Sequence, residues 1–315
     1  MMASARNRRG PTRFSAATTT ATGKEQRMVI PGLTLIGEAI NDSVPSTREL
    51  FDRGDLAGIQ ALAAEQAAAG AHCIDVNVGR RGADFMAEVV RKVQEAVALP
   101  LSIDSPDIEY LRAGLSAYDP ARGGGRPVVN SISALRAGAL ALAKVQPFRA
   151  ILLLTERTDA AGGSAACKTA EEEHAAALEL VALARAQGLA PGDMILDPGI
   201  MPIGADTEGR LARTLDTFRR CRADPALAGC HASVGLSNFT VMLPRKRPNG
   251  RPIRSALESA FLTLAMPLGL DTIIGSVKRS YALLPDGDDA VVCLKDILAS
   301  EGFAGIARLD EFCRG

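Results

Sequence analysis

The chain has 315 residues with 36 Lys and Arg against 36 Asp and Glu, so it carries no global field to draw a nucleic acid or an acidic surface. Aromatic residues make up 4% and Trp is absent, which argues against base-stacking platforms and makes the core aliphatic. No apolar run reaches the ~20 residues of a membrane span, and neither the six dispersed cysteines nor His72, His174 and His231 fall at metal-ligand spacing.

Residues 1–28 lack apolar periodicity and carry Arg6, Arg8, Arg9 and Arg13 ahead of the first acid, Glu25. They read as a disordered tail ahead of one domain over 29–315; the composition also resembles a transit peptide, but it has no amphipathic face. From residue 33 short β-branched or aliphatic runs alternate with Ala- and Leu-rich stretches. Strands are expected at 33–37, 72–78, 99–104, 127–132, 150–155, 194–198, 231–237 and 271–277. Helices are expected at 55–69, 83–97, 107–117, 134–145, 170–187, 207–222, 254–268 and 288–299. Eight such units fit a closed (β/α)₈ barrel, a TIM barrel, in order and size. A doubly wound open sheet is the competing fold, but LTLIGEAIND lacks the Gly-rich turn that usually follows its first strand.

In such a barrel chemistry sits where the strands end. There the sequence places Glu38, Asn41 and Asp42, then Asp75 and Asn77, Asp104 and Ser105, Asn130 and Ser131, Thr155 and Glu156, Asp197, Ser237 and Asn238, and Ser276 and Lys278. Ser105, Ser131 and Asp42 are as readily helix caps or turn formers. Asp75, Asp104, Asn130, Asp197 and Asn238 recur too regularly for that. Burying them without partners costs roughly 1–3 kcal/mol per group, so a polar ligand is expected among them. Carboxylates accept paired hydrogen bonds from an amidine-like edge and Asn both donates and accepts, which suits a flat heterocycle such as a pterin.

The motifs GEAIND (37–42), DVNVG (75–79), IDS (103–105), VNS (129–131), DPGI (197–200) and GLSN (235–238), in this order, resemble the pterin-binding (β/α)₈ barrels over about residues 33–300. That superfamily includes dihydropteroate synthases and methyltetrahydrofolate:corrinoid methyltransferases. The synthases carry Ser-Arg-Lys after the seventh strand and Arg-x-His after the eighth. This chain has Ser237-Asn238-Phe239 and Ser276-Val277-Lys278-Arg279, and its Gly-Leu-Ser-Asn is similar to the methyltransferase branch.

The resemblance implies that Asp104, Asn130 and Asp197 hold the pterin, that Asp75, Asn77, Ser237 and Glu38 complete the pocket, and that Asn238 faces N5 as the catalytic side chain. It implies tetrahydrofolate or 5-methyltetrahydrofolate as one substrate, and a corrinoid (cobalamin) as the other. The corrinoid is expected on a partner protein or as free methylcobalamin, because no Asp-x-His-x-x-Gly motif for a resident one occurs. No bound metal, nucleic acid or membrane is expected; a cytoplasmic homodimer is. Dihydropteroate synthesis and a non-catalytic pterin-binding subunit are the alternatives.

The segment 244–254 carries Arg245, Lys246, Arg247, Arg251 and Arg254 with no acid. It reads either as a solvated loop or as a contact for folate carboxylates, a corrinoid phosphate or an acidic partner. Arg254 is the candidate for the family's basic pterin-site residue. His72 and His231, at strand starts, read as structural. Lys278 lies past its strand beside Arg279, a poor place for a Schiff-base lysine.

Overall fold

The computed structural model describes residues 30–159 and 162–315, so the expected tail over 1–28 lies outside the described residues. The strands are β1 (Thr34–Asn41), β2 (Cys73–Asn77), β3 (Leu101–Asp104), β4 (Val128–Ile132), β5 (Arg149–Leu153), the short pair β6 (Glu156–Thr158) and β7 (Ser164–Ala166), then β8 (Met194–Asp197), β9 (His231–Gly235) and β10 (Thr272–Gly275). Eight of them close into a parallel barrel in the order β1-β10-β9-β8-β5-β4-β3-β2, each beside its neighbour in the chain. Those eight are the strands expected from the sequence. The antiparallel pair β6–β7 is an added hairpin on the loop after the fifth barrel strand.

The helices are α1 (Pro45–Asp52), α2 (Leu56–Ala68), α3 (Ala83–Ala96), α4 (Ile108–Ala117), α5 (Ala170–Ala186), α6 (Arg210–Ala223), α7 (Leu236–Phe239), α8 (Arg254–Ala265), α9 (Asp289–Leu298) and α10 (Phe303–Arg314). In α3, Met86, Val89, Val90 and Val93 recur at helical spacing and form the buried stripe against the barrel. Helix α5 is set by local chemistry: the Thr169 side chain accepts from Glu172 N, three glutamates follow in the first turn and Arg185 sits in the last. One expected helix differs. Ala134–Lys144 is a 3₁₀ segment interrupted at Arg136 (φ −116°, ψ 19°), whose guanidinium donates back to the Ser131 and Ser133 hydroxyls and turns the chain there. Helices α1, α7 and α10 had no counterpart among the expected elements.

The strands sort their side chains by parity. Ile74, Val76, Leu101, Ile103, Val129, Leu152, Leu196 and Val234 belong to the two large clusters in which strands pack against helices. Ile36, Cys73, Val128, Ile151 and Ile195, joined by Ile274, form a separate cluster that plugs the lumen. Strand β1 breaks parity once. Gly37 pairs with Ile74 and Ile40 with Val76, so two residues of β1 oppose one of β2. The surplus Ala39 donates its N–H to Gln66 Oε1 (2.9 Å) and accepts from Thr47 Oγ1 (2.7 Å). Both Glu38 and Asn41 thereby face the lumen while Ile40 stays buried outside it.

Candidate active site

Above the apolar plug, at the C-terminal ends of the strands, opens a cavity of about 430 Å³. Its polar wall is Glu38, Asp75, Asp104, Asn130 and Asp197, each from a different strand, with Ser237 and Asn238 from the turn after β9. Leu153, Ile200, Val241 and Ile274 supply apolar surface between them, and Asn41, Ser43 and Val44 close the side next to β1.

The carboxylates are held by neighbours rather than by caps. Asp75 is buried at the centre, where Ser102 Oγ donates to its Oδ1 (2.6 Å) and Asn130 Nδ2 donates to the same oxygen (3.2 Å). Asn77 does not line the cavity; its Nδ2 donates to Asp104 Oδ2 (2.9 Å) and so orients that carboxylate. Asp197 accepts from Ser233 Oγ (2.8 Å) and from Gly199 N (2.7 Å). Ser237 Oγ donates to Glu38 Oε1, joining the turn after β9 to β1 past the intervening β10. Asn238 sits in the single turn α7, its amide folded back against Gly235, where a Cβ would come within 3.0 Å of Nδ2. A side chain at 235 would displace it.

Burial raises every one of these acids. Asp75 is pushed well up by burial and then by the Asp104 charge, against hydrogen bonds from Ser102 and Asn130. Asp104 is raised by burial and drawn back by Asn77 and by the Arg136 guanidinium. Asp197 is pushed up to about 6 by burial, against its Ser233 and Gly199 bonds. Glu38 is raised by burial and lowered by Ser237 and Arg279. Behind it the fully buried Glu258 is pushed up to about 7 by burial, with Thr240 and Arg279 opposing. Burial thus favours the protonated form of each carboxyl, and a protonated carboxyl can donate as well as accept a hydrogen bond.

Arg254 is not among the cavity-lining residues: its Nε donates to Leu243 O (2.7 Å), fastening the start of α8 to the preceding loop. Lys278 pairs at the surface with Glu65 of α2 (3.2 Å). Asp42 pairs with Arg81, tying two rim loops together, and Ser105 Oγ accepts from Asp107 N (3.1 Å) within its own turn. His72 Nδ1 accepts from Leu35 N (3.0 Å) and His231 Nδ1 bonds Asp271 (2.6 Å), at the opposite end of the strands. Arg136 was missed from the sequence. The signal was its place as the first cation after the fourth strand, five residues beyond Ser131.

A family model described as pterin binding enzyme matches residues 40–275. The methylcorrinoid:tetrahydrofolate methyltransferase of Eubacterium limosum is 28% identical over 252 residues, spanning 76% of this chain and 83% of that protein. Among solved structures, the dihydropteroate synthase of Xanthomonas albilineans with 4-aminobenzoic acid superposes with a TM-score of 0.52 at 21% identity, over 87% of this chain and 96% of that one. The same enzyme in complex with 7,8-dihydropteroate gives 0.51 at 18% identity, with the same coverage. These last two likenesses are of fold.

Proposed function

The chain belongs to the pterin-binding enzymes, and from that premise we propose that it moves a methyl group between N5 of a tetrahydrofolate and the cobalt of a corrinoid. The observation that carries this reading is the company Asn238 keeps: a neutral amide at the end of β9, beside Ser237 and facing the acid wall, where a synthase carries a cationic Ser-Arg-Lys. The named methyltransferase relative supports it.

In this reading the N–H edge of the pterin enters the ring of Asp75, Asp104, Asn130 and Asp197, trading water for paired hydrogen bonds. Ligand donors then stabilise the charged carboxylates and oppose the burial that favours their protonated forms. Asn238 lies against N5. Demethylation breaks the N5–methyl bond as a Co(I) corrinoid attacks the methyl carbon in line; the bond pair stays on N5, which takes up a proton. In the opposite direction the N5 lone pair attacks the methyl of a methyl-Co(III) corrinoid, the Co–C pair remains on cobalt as Co(I), and N5 releases a proton. An amide that donates or accepts at N5 serves both, and the protein contributes position and a fixed hydrogen-bond field. The corrinoid is a substrate, brought by a partner protein or supplied free.

The test mixes the protein with methylcobalamin and tetrahydrofolate, or with Co(I) cobalamin and 5-methyltetrahydrofolate, and follows the cobalt absorbance. A protein-dependent change is expected. Tight pterin binding with no change in either direction would sink the enzyme reading and leave a binding subunit. Asn238→Ala is expected to slow transfer by about 10²–10³-fold, with a much smaller change in folate affinity. Failure to complement a strain lacking dihydropteroate synthase is expected; growth would establish the alternative.

A further inference from the structure

Directly after the cavity-lining Val241, residues 245–253 form a clamped arm. Lys246 pairs with Pro252 across an antiparallel bridge, Arg247 N donates to Arg251 O (2.9 Å), and Ile253 N donates to Arg245 O (3.0 Å). Gly250 N donates to Arg247 O (2.9 Å), and Gly250 takes the left-handed backbone (φ +84°) that this turn requires. The arm is not a free loop, because Arg247 turns inward. Its side chain is 7% exposed, its Nη1 bonds Asp289 Oδ2 (2.7 Å) at the start of α9, and its guanidinium lies 3.8 Å from the centre of the Phe312 ring in α10. The sequence-based choice between a solvated loop and a ligand contact thus divides by residue: Arg247 and Arg254 are fasteners. Arg245, Lys246 and Arg251 are exposed and have no acidic partner among the described residues.

Three unpaired cations on a rigid arm favour a polyanion. Along the chain between Asn238 and these cations come Val241, which lines the cavity, and Met242, exposed by 53% and 66%. The chain therefore presents, in order from Asn238, a polar heterocycle site, an apolar step and a cationic arm. A folate presents a pterin, an aminobenzoyl ring and glutamate carboxylates in that order. We infer that Arg245, Lys246 and Arg251 form a subsite for the oligo-γ-glutamate tail of the folate, which makes polyglutamylated folates the preferred substrates. This rests on the reading of the cavity as a pterin site.

The experiment is calorimetric titration of the whole protein with tetrahydropteroyl-monoglutamate and with the triglutamate, at low and high salt. The triglutamate is expected to bind about tenfold tighter at low salt, the yield of a few exposed ion pairs, and the advantage is expected to shrink at ~0.5 M salt. In the combined variant Arg245→Ala, Lys246→Ala and Arg251→Ala the ratio should fall to about one. Arg91→Ala, an exposed cation on the outer face of α3, should keep it. Equal binding of the two folates by the wild type would overturn the subsite and leave the pterin reading standing. A ratio that survives the combined variant would overturn the assignment to this arm. Binding of neither folate would overturn both readings. If the variant loses turnover with a protein-bound methylcorrinoid while the wild-type ratio is one, the arm belongs to an acidic protein surface and the tail subsite is wrong.

Discussion

Below the cavity, Ile36, Cys73, Val128, Ile151 and Ile195 fill the lumen, and two residues further along the same five strands stand Glu38, Asp75, Asn130, Leu153 and Asp197. Across that step Asp75 and Asp197 stay as buried as the plug, while Glu38, Asn130 and Leu153 are half-buried at the cavity. The lower layer gains from being dry, since each side chain there removes apolar surface from water. The upper layer loses by being dry, because its carboxyls are held above their usual range. One layer supplies stability and the other surrenders some of it to keep a ligand-ready surface, a division expected of a preorganised site.

The largest expected effect attacks the lower layer. Ile195→Ala should cost about 4 kcal/mol in chemical denaturation, with folate affinity changed less than about threefold. A loss of affinity matching the loss of stability would show that the two layers are not separable.

Asp197→Asn attacks the upper layer and should have the opposite sign. With its folded pKa near 6 against ~3.9 unfolded, Asp197 holds its proton more tightly in the fold. Its contribution is full below about pH 4 and is lost as pH rises through about 6, a change of roughly 3 kcal/mol. Asn mimics the protonated carboxyl and does not titrate. The variant should match the wild type near pH 4, exceed it by roughly 3 kcal/mol at pH 7, and bind folate more weakly. A stability difference that does not vary with pH would refute the account.

The smallest change sharpens the comparison. Ser233→Ala removes the hydroxyl that donates to Asp197 Oδ2, at a cost of about 1 kcal/mol at neutral pH. Because that bond lowers the Asp197 pKa, its loss should extend the pH-dependent decline in stability to higher pH.

The barrel was legible because each strand is a short, mostly aliphatic run and the polar site residues come at or near its end. Asp75, Asp104, Asn130, Asp197 and Asn238 converge on one cavity because parity and strand ends fix both their direction and their height. Arg254 lies outside the cavity lining for a physical reason: a cation near the site in sequence is also a donor for a nearby loop carbonyl, and Leu243 O takes it. The 3₁₀ segment carries a good helical composition, yet Arg136 is drawn to two hydroxyls that only the fold brings near. The β6–β7 hairpin has only three residues a side, too short to carry a strand pattern of its own.

The extra residue in β1 binds two distant positions into one unit. Ala39 has no strand partner for its N–H, and Gln66, one helix away, supplies the acceptor. Gln66 does not line the cavity, yet without its carbonyl the half-buried amide at 39 would lose its partner, and relaxing it would move the segment that carries Glu38 and Asn41. Among descendants of a common ancestor, the surplus residue and the amide at 66 should therefore be gained or lost together, so that a helix position remote from the chemistry is inherited with it.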